Sequence, residues 1–381
     1  KDLLEVQNGY AFASSLFSAS EGMPLIRIRD LKNGVNTKVN FTGEYSKDYI
    51  VQKGDFLIGM DGEFRCYEWA GGNALLNQRV CRLQNFEDSL LPKFLFYGVN
   101  KHLKDIEDVT SFTTVKHISS KKIKDIEFPI PPLEEQKQIV AKLDQCFEAI
   151  DKAKANAAKN LENAKELFQS KLNDIFSQKG EGWVEKKLGD VCSLIKRGIP
   201  PKYIETGGIQ VVNQKCIRNH KVNLTLARRH NIVLKSVSQE KLIQIGDVLV
   251  NSTGVGTLGR VAQVRDSIIS DTTVDTHVTI VRPIPDLFFI DFFGYVLIKI
   301  EDEITKSGEG ASGQTELART KLQNNFIVSY PTSLEEQKQI VKILDSLKKQ
   351  TQSLESKYQQ ELNSLEELKK SILQKAFEGE L

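Results

Sequence analysis

Two long stretches of the chain carry apolar side chains about every 3.5 residues, with polar and charged residues between them. In the stretch 332–381 the recurring positions are Ile340, Leu344, Leu347, Leu354, Tyr358, Leu365 and Ile372. In the stretch 132–179 they are Ile139, Leu143, Cys146, Ile150, Ala153, Ala157 and Ala164. A stripe this narrow is typical of a coiled-coil seam. Each stretch is therefore predicted to be one helix, roughly 65–70 Å long for roughly 45 residues.

The two stretches are copies of each other. The eight residues LEEQKQIV occur at Leu133–Val140 and again at Leu334–Val341, an offset of 334 − 133 = 201. The offset holds without insertion from 133–177 to 334–378, so that Phe176 falls on Phe377. Pro132 and Pro331 precede the copies, and two glutamates occupy the first turn of each, where the helix dipole favours acids. The chain is therefore predicted to contain an internal duplication.

The copies differ in side-chain size. Copy one has alanine at 153, 157 and 164 where copy two has Leu354, Tyr358 and Leu365. Small residues pack against large ones when unlike helices pair, so we predict one intramolecular antiparallel coiled coil. The alternative is two separate helices that each dimerise with another chain.

The regions before each helix are glycine-containing and rich in β-forming residues, and we call 1–131 head 1 and 180–331 head 2. Strands are predicted at Leu25–Ile28, Phe56–Ile58, Ile209–Val212, Asp247–Val250 and His277–Val281. Helices are predicted at Phe94–Leu103 and Phe288–Lys306. Each region is large enough to hold its own core.

Both heads follow one order: glycine turn, strand, Gly-Asp turn, strand, helix, proline, long helix. Gly54-Asp55 corresponds to Gly246-Asp247, and Gly9 to Gly198. The predicted fold class is α+β, with two globular mixed α/β domains separated by two long antiparallel coiled-coil helices and related by a pseudo-twofold repeat. The predicted domains are 1–131, 132–179, 180–331 and 332–381.

Composition narrows the class. Apolar residues make up 40% of the 381 residues, no apolar run is long enough to cross a bilayer, and no signal-peptide pattern opens the chain. The five cysteines are odd in number and never two residues apart, which favours a reducing cytoplasm over disulfides or zinc. The first residue is Lys1 rather than methionine, which indicates a natural start further upstream.

The charge distribution is more informative than the net charge of +2. One acid, Glu205, interrupts a run of basic residues: Lys196, Arg197, Lys202, Lys215, Arg218, Lys221, Arg228 and Arg229. A local basic stripe can bind phosphates even when the whole chain is nearly neutral. A solvated surface patch is the other interpretation.

Catalytic signatures are weak or missing in the sequence. Gly254–Gly259 reads GVGTLG and fits G-x-G-x-x-G, but the following Arg260–Val264 alternates like a strand rather than opening a helix. We therefore predict a glycine turn between strands. Pro131-Pro132 and Pro200-Pro201 lack the residues of an adenine methyltransferase motif, no Walker A lysine occurs, and the histidines lack metal-ligand spacing.

The duplicated motifs carry a family resemblance. LEEQKQIV after a proline resembles the repeat regions of the specificity (S) subunit of Type I restriction-modification enzymes. The ending Ser371–Leu381 resembles that family's C-terminus, and Trp183 with Lys187–Asp190 resembles the start of its domain. Thr113–Ile118 and Gln314–Leu317, upstream of the two long helices, are similar to the family as well. Copy one lacks the domain start, because the chain begins too late.

The resemblance implies a non-catalytic subunit. Each head would be a target recognition domain for one half of a bipartite double-stranded DNA target, and the helices would be the spacer. Two methyltransferase (M) subunits, which bind S-adenosylmethionine, would dock on the helices, and restriction (R) subunits would join with ATP and Mg. This chain itself would bind no cofactor. Candidates for holding M are Glu135, Gln136, Gln138, Glu336, Gln337 and Gln339.

Base reading needs bidentate side chains, with arginine for guanine and asparagine or glutamine for adenine, while lysines bind phosphates. In head 1 the DNA-binding candidates are Arg27, Arg29, Lys32, Asn33, Arg65, Asn73, Gln78, Arg79 and Lys116. In head 2 they are Arg197, Lys202, Asn213, Gln214, Lys215, Arg218, Asn219 and Arg260. Arg27 and Arg29 alternate with apolar residues, so they are also explained as the solvent face of a strand.

Two other functions stay open at this point. One is a coiled-coil scaffold whose heads bind protein rather than DNA. The other is an enzyme that uses the GVGTLG loop to bind a nucleotide.

Overall fold

A computed structural model describes residues 3–110, 116–265, 271–309 and 315–380. The chain divides into two compact units, described separately below. Unit 1 comprises Lys1–Ala157 with Gln360–Leu381, and unit 2 comprises Ala158–Gln359. Each unit therefore takes one head and a segment of both long helices. The predicted motif residues Thr113–Val115 and Gln314 lie outside the described residues.

The described residues of head 1 form two sheets and three α-helices. The elements are β1 (Glu5–Asn8), β2 (Phe17–Ser18), β3 (Met23–Ile26), α1 (Ile28–Leu31), β4 (Asn40–Phe41), β5 (Ile50–Val51), β6 (Phe56–Gly59), β7 (Cys66–Glu68), β8 (Ala74–Leu76), β9 (Val80–Gln84), α2 (Pro92–Val109) and α3 (Ser120–Lys124). The strand orders are β1-β9-β6-β7 and β2-β4-β3-β8-β5. The first long helix, α4, follows at Leu133–Ser177.

Head 2 repeats this plan with additional short strands. Its elements are β10 (Trp183–Lys187), β11 (Cys192–Arg197), β12 (Tyr203–Ile204), β13 (Ile209–Val212), β14 (Ile217–Arg218), β15 (Lys221–Val222), β16 (Arg228–His230), β17 (Val248–Asn251), β18 (Val261–Gln263), β19 (Thr272–Val274), β20 (Val278–Pro283), α5 (Ile290–Lys299), α6 (Glu301–Lys306), α7 (Arg319–Asn324) and β21 (Ile327–Pro331). The second long helix, α8, occupies Leu334–Glu378.

The heads share one skeleton. The antiparallel sheet β11-β20-β17-β18 of head 2 repeats the order β1-β9-β6-β7 of head 1. Beside it, each head has a parallel pairing, β3 with β8 and β13 with β19. Apolar side chains of the antiparallel sheet pack against the following helix, as Ile58 and Cys66 do against Phe94 in head 1. The predicted common order of elements is confirmed.

The Gly-Asp turns have a structural role in both heads. Gly54 and Gly246 adopt φ of 95° and 94°, a conformation that glycine tolerates best. The next carboxylate caps the turn: Asp55 Oδ2 accepts from the N–H of Gln52 at 2.9 Å, and Asp247 Oδ2 from that of Gln244 at 2.8 Å. An arginine of the neighbouring strand pairs with each aspartate, Arg82 in head 1 and Arg282 in head 2. These aspartates therefore stabilise the fold.

Gly9 and Gly198 mark the same close backbone approach in the two heads. A Cβ added to Gly9 would lie 2.1 Å from the carbonyl oxygen of Asn77, and one added to Gly198 would lie 1.9 Å from that of Val274. A side chain at either position would displace the backbone, so glycine is required at both.

The long helices pair in antiparallel orientation within each unit. Each has 45 residues, close to the predicted stretches. In unit 1, Asp151 contacts Lys369 at 2.9 Å and Lys154 contacts Glu366. Residue numbers therefore rise along one helix while those of their partners fall along the other, as in an antiparallel pair. In unit 2, Leu172 and Phe176 share a core with Ile340 and Leu344. The intramolecular antiparallel pair is confirmed.

Each head is held by the end of the long helix from the opposite copy. In unit 1, Phe377 of α8 packs on Phe94 of α2, with ring centroids 5.0 Å apart. In unit 2, Phe176 of α4 packs on Phe292 of α5 at 5.7 Å. Phe176 and Phe377 are the residues related by the offset of 201, so the internal repeat extends to tertiary packing within each unit.

The repeated glutamines Gln136 and Gln337 are completely buried. Gln136 Oε1 accepts from the N–H of Leu91 at 2.8 Å, and its Nε2 donates to the carbonyls of Ser89 and Pro131, both at 2.8 Å. Gln337 repeats the arrangement with the N–H of Phe289 at 2.7 Å and the carbonyls of Leu287 and Pro331. The prediction that these two glutamines hold M subunits is wrong, because their polar atoms join the long helix to the head.

Three predicted elements differ most in extent from the observed ones. The strand predicted at Leu25–Ile28 ends at Ile26, because Arg27 caps α1 and its N–H donates to Asp30 Oδ2 at 2.9 Å. The helix predicted at Phe94–Leu103 runs from Pro92 to Val109, and that at Phe288–Lys306 is two helices separated at Ile300. Within the described ranges, no helix is long and apolar enough to span a membrane.

Candidate nucleic-acid interface

Loops from separate parts of each head meet beside the β6–β7 turn of head 1 and the β17–β18 turn of head 2. In head 1 the backbone N–H of Met60 donates to Arg79, that of Ile118 to Met60 and that of Gly62 to Lys116, at 2.9–3.0 Å. In head 2, Ser252 donates to His277, Leu317 to Ser252 and Gly254 to Thr315, at 2.8–3.2 Å. We call the loops that contain Met60, Gly62, Arg79, Lys116 and Ile118 loop cluster 1, and those that contain Ser252, Gly254, His277, Thr315 and Leu317 loop cluster 2.

Loop cluster 1 is rich in cationic side chains around two acids. Lys32 Nζ lies 2.8 Å from Glu63, Arg79 Nε lies 3.5 Å from Asp61, and His117 Nδ1 lies 2.6 Å from the same aspartate. The Glu63 carboxylate raises the pKa of Lys32. Because most of these side chains are exposed, their ion pairs are weak and can be exchanged for phosphate or base contacts. The structure thus brings together Lys32, Arg79 and Lys116 as candidates.

The other head 1 candidates lie around this cluster. Arg65 is exposed on the β6–β7 turn, with its guanidinium 5.6 Å from the Tyr67 ring centroid. Four more are exposed: Arg29 on α1, Asn33 just after it, Asn73 before β8 and Gln78 before β9. Arg27 is half-buried as the α1 cap, so the interpretation as the solvent face of a strand is wrong for both arginines.

Loop cluster 2 combines amide and hydroxyl groups with one arginine, one glutamate and one histidine. Asn251 Nδ2 donates to the backbone carbonyl of Gln214 at 3.1 Å, and Thr253 Oγ1 lies 2.7 Å from His277 Nδ1. Arg197 donates to the carbonyl of Leu317 at 2.7 Å and pairs with Glu316. The equivalent loops of the two heads therefore offer different chemistry.

Three head 2 candidates surround one depression, namely Arg218, Asn219 and Arg260, next to His220 and Glu301. Lys215 is exposed on the loop after β13, and Lys202 is exposed before β12. Asn213 caps that loop instead, because its Oδ1 accepts from the N–H of Lys215 at 2.9 Å and its Nδ2 donates to Leu226 at 3.1 Å. Two arginines of the basic stripe are engaged within the head: Arg228 stacks 3.4 Å from the Tyr203 ring centroid, and Arg229 donates to Gly207 and Gly208.

Buried polar atoms without a hydrogen-bond partner concentrate at these loops. Among the described residues there are five: Arg27 Nε, Arg197 Nε, Gln210 Oε1, Gln214 Oε1 and Asn251 Oδ1. Three of the five, those of Arg197, Gln214 and Asn251, lie at loop cluster 2. Such atoms are costly unless a ligand or solvent satisfies them, so they indicate a polar binding surface.

The GVGTLG segment is a turn between antiparallel strands. Val248 of β17 pairs with Gln263 of β18, and Val250 pairs with Val261. Gly254, Gly256 and Gly259 all have positive φ. The third glycine leads into strand β18 and not into the helix that the dinucleotide-binding motif would require. The predicted glycine turn is confirmed.

One equivalent pair of contacts was not predicted from the sequence. Asp61 and Thr253 both lie seven residues after the glycine of the Gly-Asp turn, at 61 − 54 and 253 − 246. Each contacts a histidine, His117 in head 1 and His277 in head 2. Alignment of the heads on the Gly-Asp turn would have shown Asp61 opposite Thr253, although the histidines come from different elements.

The family model for the Type I restriction modification DNA specificity domain matches residues 1–160 and 180–364. The chain belongs to this family. The specificity subunit of the Type I restriction enzyme EcoBI from Escherichia coli is 30% identical to it over 408 residues, which covers 99% of this chain and 84% of the relative. The prediction of a specificity subunit, a DNA-recognition protein rather than an enzyme, is confirmed by this membership.

Solved structures show the same fold. A chain from work on complex assembly and conformational transition of the type I R-M system has a TM-score of 0.72 at 21% identity, covering 100% of this chain and 99% of that one. The HsdS subunit of Thermoanaerobacter tengcongensis has a TM-score of 0.57 at 22% identity, covering 92% and 88%. The predicted fold class of two mixed domains and two long helices is confirmed.

Proposed function

We propose that this chain is the DNA specificity subunit of a Type I restriction-modification system, in which each head reads one half of a bipartite double-stranded target. The observation that carries the proposal is that two heads with one skeleton present different side chains at the same loops. A duplicated reader with one common surface would recognise two like half-sites. Divergent loop clusters on a common skeleton are what two unlike half-sites require.

The chemistry of each loop cluster supports a different kind of readout. Arg65 and Arg79 give loop cluster 1 guanidinium groups that suit guanine, and Lys32 and Lys116 suit phosphates. Gln214 gives loop cluster 2 an amide group that suits adenine, and Asn219 lies in the neighbouring depression with Arg218 and Arg260. We infer that the half-site of head 1 depends more on guanine and that of head 2 more on adenine.

We infer that the two long helices serve as the spacer and hold two M subunits. Among the predicted docking residues, Glu135, Gln138 and Gln339 are exposed, and Glu336 is half-buried with Oε1 accepting from Trp183 Nε1 at 2.9 Å. The repeat adds a further pair, because Leu167 and Leu368 are 47% and 46% exposed at positions related by 368 − 167 = 201. Exposed leucines at equivalent positions fit one partner bound twice.

We infer that the chain binds no cofactor, that S-adenosylmethionine is bound by the M subunits, and that R subunits supply the site for ATP and Mg. We also infer a cytoplasmic location. All five cysteines are free thiols, which fits a reducing compartment.

The test is binding of the complex with M subunits to duplex DNA. The target is first taken from methylated-adenine motifs that appear in a host only when this chain is present. We expect that target to bind far more tightly than a scrambled duplex, and affinity to fall steeply between 50 and 200 mM salt, by about 10³-fold or more if six or more phosphates are contacted. Equal affinity for both duplexes would contradict the proposal.

A further inference from the structure

In each unit, a lysine of α8 lies over a phenylalanine ring of α4, and the internal repeat relates each of these rings to the lysine of the other unit. In unit 1, Lys369 Nζ of α8 lies 4.8 Å from the ring centroid of Phe147 in α4. In unit 2, Lys348 Nζ of α8 lies 6.0 Å from the ring centroid of Phe168 in α4. The offset of 201 relates Phe147 to Lys348 and Phe168 to Lys369. Copy one therefore supplies both rings and copy two both ammonium groups.

The repeat relates lysines to glutamates in the same way at two further positions. Lys154 of α4 pairs with Glu366 of α8 in unit 1, and this lysine lowers the pKa of the glutamate. The offset relates Lys154 to Glu355 and Glu366 to Lys165, so Lys165 and Glu355 occupy the equivalent positions of unit 2. Both residues line one open depression of unit 2. Copy one supplies both lysines at these positions, and copy two supplies both glutamates.

These residues distinguish unlike from like helix pairs. In the observed pairing, Lys369 and Lys348 each lie over an aromatic ring and Lys154 pairs with Glu366. The offset places Lys165 and Glu355, again a cation and a carboxylate, at the equivalent positions of unit 2. If copy one paired with another copy one in the same register, Lys154 would face Lys165. If copy two paired with another copy two, Glu355 would face Glu366 and Lys348 would face Lys369. Like charges at facing positions weaken such pairs.

We propose that this interface accepts only the unlike helix as its partner and rejects a second copy of the same helix. A long helix from another molecule of this chain can then pair here only if copy one of one molecule meets copy two of the other. Complementary and repulsive charges at facing positions select partners in coiled coils in this way. This selectivity comes from the side chains that differ between the two copies. Two identical copies would pair equally well with like and with unlike helices.

At Lys348, the charge that selects the unlike helix also reduces the stability of the fold. It is half-buried, and burial lowers its pKa to about 8. An apolar residue would fit that position with less desolvation, as Phe147 does at the equivalent place in unit 1. A charged group that reduces stability at a seam is a recognised means of fixing coiled-coil pairing.

The test uses three full-length variants. The acidic variant carries Lys154→Glu and Lys165→Glu, the basic variant carries Glu355→Lys and Glu366→Lys, and the reversed variant carries all four changes. We expect the acidic and basic variants each to melt roughly 2–4 °C below the wild type, because like charges then face each other within the chain. The reversed variant should recover the wild-type melting temperature, because its unlike helices are again complementary.

Partner choice is measured by co-expression of two differently tagged full-length chains, followed by purification on one tag. The acidic variant should capture the basic variant about tenfold better than it captures a second acidic chain, a ratio that corresponds to modest charge coupling. Two results would overturn the proposal: additive destabilisation in the reversed variant, or equal capture in all combinations. The far-UV circular dichroism spectrum of the reversed variant verifies that it is folded.

Discussion

At the scale of single residues, the repeated sequence LEEQKQIV encodes a structural contact more than a binding surface. Its first glutamine is buried and joins the start of the long helix to the loop before α2 or α5. Nothing in the sequence marks this glutamine as different from the exposed Gln138 and Gln339 of the same motif. Glutamine is usually exposed, and only the tertiary packing of a head against the helix start buries one of the two.

The first prediction concerns this buried amide. Gln337→Ala leaves the N–H of Phe289 and the carbonyl of Pro331 buried without partners, so the free energy of unfolding should fall by about 2–3 kcal/mol. Gln339→Ala, two residues away and exposed, should change it by less than about 0.5 kcal/mol. Urea unfolding followed by circular dichroism compares the two. Similar decreases in both variants would contradict the assigned contact.

The second prediction concerns Lys348 and pH. Its pKa is about 8 in the folded chain, against 10.5 for an unperturbed lysine. Between these values the unfolded chain keeps a proton that the folded chain has released, so rising pH favours folding and the full cost applies below pH 8. Lys348→Met should therefore raise the melting temperature by about 2–4 °C at pH 7. The gain should shrink towards pH 10.5, and a gain independent of pH would contradict the assignment.

At the scale of elements, the strands, turns and helices were more predictable than the surfaces they create. The Gly-Asp turns and the β17–β18 hairpin follow from local rules of glycine conformation and side-chain alternation. The loop clusters do not, because they join segments such as 27–33, 60–65 and 116–118 that are distant in sequence. Arg27 illustrates the limit: its place in an alternating run predicted a strand, but it caps helix α1, and its N–H donates to Asp30.

The third prediction separates the two loop clusters. Arg65→Ala with Arg79→Ala should weaken binding to the intact target by about 1–3 kcal/mol for each base-specific hydrogen-bond pair that is removed. The double variant should lose its sensitivity to base changes in only one half of the target. Gln214→Ala should act in the same way on the other half. Competition binding of the M-containing complex against duplexes mutated in either half measures both. If each variant altered both halves alike, the heads would not be independent readers.

At the scale of the whole molecule, the duplication was evident from the sequence, and the antiparallel pairing of the helices was predicted from it against one open alternative. What the sequence did not reveal is that each head packs on the end of the opposite copy's helix, through Phe377 in unit 1 and Phe176 in unit 2. These phenylalanines lie at the far end of each long helix from the repeated motif. Only the folded pairing places them against a head.

The fourth prediction concerns assembly. Leu167→Glu and Leu368→Glu each place a charge on a surface proposed to bind one M subunit, so each variant should co-purify with one M subunit and the double variant with none. Val233→Glu, at a residue of head 2 that is 91% exposed, is the matched control and should keep both. Native mass spectrometry of the co-expressed complex counts the subunits. Two M subunits on the double variant would exclude this surface.

Recognition of a bipartite target by two unlike heads is best tested by selection of duplexes from a random DNA library with the M-containing complex. The selection is run in parallel with the wild-type chain and with the Arg65→Ala and Arg79→Ala double variant. We expect an enriched sequence in two unlike blocks at a fixed spacing, of which the variant changes one and leaves the other intact. A single contiguous block, or no enrichment above the starting library, would show that the heads do not read two separate half-sites.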